Sequence, residues 1–254
     1  MWNTVAAEWV KLNYSSIWIW VILGGIGVSL TRLILYILGP EAYVSLAQNP
    51  WESYLNLSLT YFSLLIFPLL ILSVISIINN QEHRIDNWKV ILTLPNPRWQ
   101  LLGSKLITAL ILLAAIFLLF MISTILFAYP IYWVHPETEF DYFRPLFFEF
   151  GSDCLKVFGY SLGIIGLQFS FSLLFKNPTF AIIIGIILYL IGFLFFMALP
   201  NVAVNFPYSL PFLYKDMGIS QSLNVNSFSG MGIRSCLVFA FSVPISYLIF
   251  KTRK

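Results

Sequence analysis

Charge is what this chain has least of. Only 10% of its 254 residues are charged while 59% are hydrophobic, against about 25% charged and about 45–50% apolar in a soluble domain. That balance excludes water as the solvent for most of the surface and leaves lipid. A net charge of +3 is too small to argue for nucleic acid. The two cysteines, Cys154 and Cys236, give neither a disulfide framework nor a metal spacing. Both read as apolar packing residues near the outer face, where a bond between them stays open. Histidine is equally scarce: His83 and His135 each stand alone in a loop, with no HExxH and no paired carboxylates. Gly103-Ser104-Lys105 lacks the GxxxxGK[ST] spacing of a phosphate loop, so no nucleotide binds by that route. No apolar run carries an Asp or Glu away from its ends, which argues against an ion-coupled transporter that needs such a relay.

Long apolar runs are what the chain has in abundance. Six approach or exceed the roughly 20 residues that cross a bilayer: 17–38, 55–78, 101–129, 154–175, 179–199 and 232–250. Backbone groups in hydrocarbon must bond within their own segment, so the runs are helices. The first is too long for a signal-peptide core and no small-residue cleavage site follows it, so it reads as a retained span. No polar linker divides the runs, which predicts one all-α polytopic domain over residues 1–254. With the N-terminus inside, Lys11, Arg84, Lys89, Arg98, Lys105, Lys176, Lys251, Arg253 and Lys254 fall on the cytoplasmic side. Eight acids, Glu41, Glu52, Glu137, Glu139, Asp141, Glu149, Asp153 and Asp216, fall outside. The positive-inside rule therefore predicts six spans with both termini cytoplasmic.

Before the first span, Trp2, Val5, Trp9 and Leu12 recur at helical spacing, while Asn3, Thr4, Glu8 and Lys11 face the other way. This predicts an interfacial helix over residues 1–16, lying flat on the inner leaflet. It serves as a lipid anchor or also meets a cytoplasmic partner. Arg32 is a charge inside the first span, about 9 Å short of its outer end. It either snorkels outward or makes a polar contact within the bundle. Gly159, Gly163, Gly166 and Ser170, with Gln168 and Ser172, form a small-residue face on the fourth span. Such faces pack helices together, within the chain or at a dimer interface or translocation path. Residues 200–231 are proline-broken, semi-apolar and almost uncharged, which fits a re-entrant segment dipping into the outer leaflet between spans five and six. Phe206, Tyr208, Phe212 and Tyr214, with Arg32, are the candidates there for substrate contact.

The most informative stretch is 81–105, QEHRIDNWKVILTLPNPRWQLLGSK. Ile85, Trp88 and Leu92 make one stripe; Glu82, Asp86, Lys89 and Thr93 make another; Pro95 and Pro97 stop the helix. Such a helix could rest on lipid, but its acids are repelled by an anionic inner leaflet, which favours docking to a protein. Glu82, Trp88, Leu92, Leu94-Pro95, Arg98 and Lys105 resemble the cytoplasmic loop of the ABC-2 type permeases. Glu8-Trp9-Val10-Lys11-Leu12 is similar to that family's N-terminal interface helix, with its acid-x-x-Lys pattern. Size and aromatic richness most resemble the permeases of lantibiotic-immunity and related peptide exporters of Gram-positive bacteria.

The resemblance implies a permease without its own catalysis, in a bacterial plasma membrane. It implies pairing with a second permease, identical or related, and separate ATPase subunits that bind ATP and Mg. The loop between spans two and three would be the coupling helix, with Glu82, Asp86, Trp88, Lys89 and Leu92 meeting the ATPase. Trp2, Glu8, Trp9 and Lys11 would form the interface helix. Export of a hydrophobic or amphipathic substrate is expected, with cationic antimicrobial peptides as candidates. Two other classes stay open: a scaffold or sensor subunit without transport, and a lipid-acting membrane enzyme.

Overall fold

The computed structural model describes residues 2–13, 15–39, 49–81, 97–136, 140, 145–175, 177–213 and 228–252. Helix α1 (Trp2–Leu12) precedes α2 (Ile17–Leu38). Next come α3 (Pro50–Tyr61), a π-helical turn (Phe62–Ile66) and α4 (Phe67–Asn80), one continuous rod. Helix α5 (Arg98–Val134) is the longest, followed by α6 (Phe147–Leu174) and α7 (Pro178–Ala198). The short α8 (Pro200–Ala203), a 3-10 turn (Pro207–Ser209) and α9 (Leu210–Leu213) lead toward α10 (Phe228–Thr252). Six of these units are long and apolar enough to cross a membrane, so the chain is an all-helical, multi-pass membrane protein.

The observed rods overrun the apolar runs at most ends, because spans continue into the polar headgroup zone where hydropathy stops counting. Capping residues mark two of the true starts. The Asn49 side chain accepts from Trp51 N–H ahead of Pro50, and Asn177 does the same for Thr179 ahead of Pro178. An Asx oxygen satisfies an orphan N–H, and proline at the first helical position has none to lose. The π turn sits just before Pro68, whose ring clashes with a regular preceding turn; widening that turn keeps the rod unbroken.

Helices in lipid gain little from hydrophobic burial against one another, so close packing and polar contacts hold the bundle. At its centre Phe62 stacks on Phe120 with centroids 3.9 Å apart, and Phe117 meets Phe67 edge-on at 4.7 Å. Between α2 and α5, the Ser29 and Thr124 hydroxyls are 2.7 Å apart, and Ser123 donates to the Gly25 carbonyl at 3.0 Å. Between α6 and α10, Ser235 donates to the Tyr160 carbonyl at 2.8 Å and receives the Gly163 N–H. On the small-residue face of α6, Gly163, Gly166 and Ser170 thus pack within the chain against α10, while Gly159 meets open space.

After α7 the chain turns back along that helix. The backbone of Tyr208 and Ser209 lies about 3 Å from where a side chain at Gly192 would begin. Phe212 packs against Tyr189 at 5.0 Å and Phe196 at 5.8 Å. Tyr189 lies nine residues before the end of α7, about 14 Å of helix.

Candidate coupling site

The five coupling candidates, Glu82, Asp86, Trp88, Lys89 and Leu92, lie outside the described residues. What the structure gives is the frame from which that connector hangs. One side is the last turn of α4, ending at Asn80. The other is Pro97 and the first turns of α5.

On the α5 side an ion pair joins α1 to the third span. Lys105 lies seven residues into α5, and its Nζ is 3.2 Å from Glu8 Oε2. The other Glu8 oxygen receives Lys11 Nζ at 2.9 Å. The side chains of Lys105 and Glu8 are 3% and 6% exposed, while Lys11 is 40% exposed. A carboxylate in that surrounding is tolerable only with opposite charge and hydrogen bonds on both oxygens, and both are present. A second tie closes this end of the bundle: Arg98 donates to the Lys251 carbonyl in the last turn of α10 at 3.0 Å. The opening of α5 is thus fastened to both ends of the chain.

The ion pair corrects the expected facing of α1. Glu8 does not lie opposite the apolar stripe; it is buried beside Val5 and Leu12, because Lys105 reaches it from α5. Trp2, expected on the stripe, is 80% exposed. Trp9 is half-buried and packs on Trp18 at 5.9 Å. Lys105 itself is not at the rim of the bundle but buried two turns within it.

On the α4 side, two amides form a buried polar seam. Asn79 donates to the Ser172 hydroxyl of α6. One turn away, Gln168 donates to Ser76 of α4 at 3.3 Å and to the Ala181 carbonyl of α7 at 3.1 Å. Gln168 therefore bridges three helices at the end where α4 feeds the connector. Its oxygen packs on Gly185 of α7, where an added methyl would sit 2.6 Å away. Asn79 did not stand out in the sequence, since a single amide at a helix end carries no pattern.

The substrate candidates fall elsewhere. Arg32 is buried within the bundle, its guanidinium 5.2 Å from the Tyr36 ring and 5.5 Å from the Tyr61 ring. Of its two open readings, the inward contact is the one observed. Tyr208 and Phe212 are in the core and Phe206 is half-buried; Tyr214 lies outside the described residues. Burial pushes the Tyr208 hydroxyl well above the usual phenol range, so that ring stays neutral. Cys154 is buried and Cys236 exposed. Among the described residues no cluster of acids, histidines and cysteines could hold a metal.

No curated protein and no solved structure matches the chain. The sequence matches the ABC-2 family transporter protein family over residues 4–192. The matched region holds Glu8, Lys105, the connector and the Gln168 seam, and it ends where the turned-back segment meets Gly192. By that match the chain belongs to the ABC-2 family of transporter proteins, as an ABC-2 type permease.

Proposed function

We propose that this permease is half of an ATP-driven exporter whose connector, residues 82–96, seats in a groove on a separate ATPase subunit. The observation that carries the reading is the buried Glu8–Lys105 pair. Together with the Arg98–Lys251 bond, it makes the opening of α5 a stiff lever rather than a free helix end. A force applied to the connector meets α5 on one side, already joined to α1 and α10. On the other side it meets α4, joined through Asn79 and Gln168 to α6 and α7.

ATP and Mg bind to the ATPase, and nucleotide supplies the differential affinity that switches two states of the complex. Glu82, Asp86 and Lys89 give the connector polar contacts with the ATPase, and Trp88 and Leu92 the apolar anchors. The charge distribution supports cytoplasmic termini, with α1 on the inner leaflet as an interface helix and 200–213 as a re-entrant segment in the outer one. A second permease, a copy of this chain or a relative, completes the pore. The substrate class is hydrophobic or amphipathic, taken from the membrane of a bacterial cell and moved outward; antimicrobial peptides fit it.

The test places acids in the docking stripe. Trp88→Glu with Leu92→Glu is expected to abolish both transport and stimulation of the ATPase while the complex of helices stays folded. Survival of both activities overturns the assignment. Tagged chain drawn from native membranes in mild detergent is expected to bring a stoichiometric P-loop ATPase; an intact permease without one removes the exporter reading.

A further inference from the structure

The apolar outer face of α10 ends in a cation. Ile233, Leu237, Phe241, Ile245 and Leu248 are all exposed, and their spacing places them on one face of the helix. Lys251 follows three residues after Leu248 and is exposed on the same face. It lies about 4.5 Å further along the axis, where a lysine carries its ammonium out of the hydrocarbon and into the headgroup zone.

The fold brings a second cation to that point. Arg98, the first residue of α5, donates from Nη1 to the Lys251 carbonyl at 3.0 Å, and it too is exposed. That bond uses one of five N–H donors and leaves the rest of a planar fork that fits phosphate oxygens. The neighbouring Trp99 is 53% exposed, a residue type that settles at the headgroup level. Past α10 the sequence continues with Arg253 and Lys254. Neither the first turn of α5 nor the last turn of α10 contains an acid. Glu8, on the helix that packs against the start of α5, is buried and already held by Lys11 and Lys105.

These surroundings select the ligand. Continuity with an apolar, exposed helix face favours a lipid over a soluble anion. Two cations without an acid favour an anionic headgroup over a zwitterionic one, whose own positive group they repel. An acidic protein patch would have to displace bilayer from Leu248 and Trp99 to reach both charges.

We infer that Arg98 and Lys251 bind the phosphate of an anionic phospholipid whose chains lie along the exposed face of α10. The bound phosphate ties the opening of α5 to the end of α10 a second time, in parallel with the Arg98–Lys251 bond. This goes beyond the exporter reading and takes from it only the leaflet, the inner one, whose surface is anionic. The binding itself needs no ATPase.

The experiment titrates the full chain in detergent with dioleoylphosphatidylglycerol, dioleoylphosphatidylcholine or inorganic phosphate. Bound lipid is counted by native mass spectrometry, and the melting midpoint is followed by tryptophan fluorescence. Phosphatidylglycerol is expected to bind about 25-fold more tightly than phosphatidylcholine, about five-fold for each cation, and to raise the midpoint. Inorganic phosphate, which has no chains, is expected to do neither. Lys251→Gln keeps the backbone carbonyl that Arg98 holds, so the helix tie survives; it is expected to weaken phosphatidylglycerol about five-fold. Arg98→Gln with Lys251→Gln is expected to bring it down to the phosphatidylcholine level. Lys156→Gln with Arg234→Gln removes the same charge near the starts of α6 and α10 and is expected to keep the full preference. Equal binding of the two lipids overturns the inference, as does an equal effect of inorganic phosphate. So does a Lys251→Gln chain that binds like the parent, or a matched control that loses as much. No ATPase is present in this assay, so failure here leaves the exporter reading standing.

Discussion

Removing either partner of the Glu8–Lys105 pair tests whether α1 is a structural part of the lever. At 3.2 Å and an effective dielectric near 20, the Coulomb attraction is about 5 kcal/mol before desolvation is subtracted. Losing one side of a buried pair typically costs about 3–5 kcal/mol. Lys11 also holds Glu8, at 2.9 Å but 40% exposed, so its share is screened and Lys105→Met should fall at the lower end, about 3 kcal/mol. Glu8→Leu removes the acid from both lysines and should cost at least as much. The double variant Glu8→Leu with Lys105→Met replaces the pair by apolar residues, which is often close to neutral. The cycle should therefore show a coupling of about 2 kcal/mol or more, with the double variant more stable than either single one. The assay is thermal unfolding of detergent-solubilised chain followed by tryptophan fluorescence, since Trp9 and Trp18 pack at this joint. Single variants that add without coupling, within about 0.5 kcal/mol, would falsify the claim that the pair fastens α1 to α5.

Other expectations follow from the same packing. Gly192→Ala drives a methyl to within about 3 Å of the Tyr208 and Ser209 backbone; overpacking of that kind costs about 1–3 kcal/mol, read as a lowered midpoint together with faster proteolysis in 200–213. Gln168→Leu removes the hydrogen bonds to Ser76 and Ala181, each worth about 0.6 kcal/mol inside a membrane protein. A loss of about 1 kcal/mol is expected, and no change would mean that the seam does not join the three helices. Arg32→Lys trades a planar cation over Tyr36 and Tyr61 for a compact ammonium that stacks poorly. A drop of about 1 kcal/mol is expected in the same melts, and a variant as stable as the parent would show the ring contacts to be incidental.

Much of the architecture was legible because bilayer thickness writes itself into run length: residues 17–38 came out as α2 to the residue. Ends were legible only where hydropathy and capping agreed, so the start of the second span at Pro50 was read five residues late. The facing of α1 was not legible from its own residues. Periodicity puts Glu8 on a polar side, and nothing local reveals a base 97 residues away. One signal was there: Lys105 stands in an apolar stretch two turns past Pro97, where an ammonium needs a carboxylate. The aromatics of 206–212 read as surface candidates because composition cannot tell a ring facing lipid from one turned back onto α7. An apolar cleft between α5 and α6 left no trace either, since Ala114 and Gly151 become a cavity only when two helices are laid side by side.

The Glu8–Lys105 pair also sets an order of events during synthesis. Translation proceeds at about 5–20 residues per second, and Lys105 follows Glu8 by 97 residues. The acid is therefore made about 5–20 s before its base, and must stay hydrated at the membrane surface while two spans insert behind it. Docking of α1 is then a late step in biogenesis, completed only when the third span enters the membrane. A chain arrested before residue 105 would carry a loose N-terminal helix, open to proteases and quality-control factors until synthesis resumes.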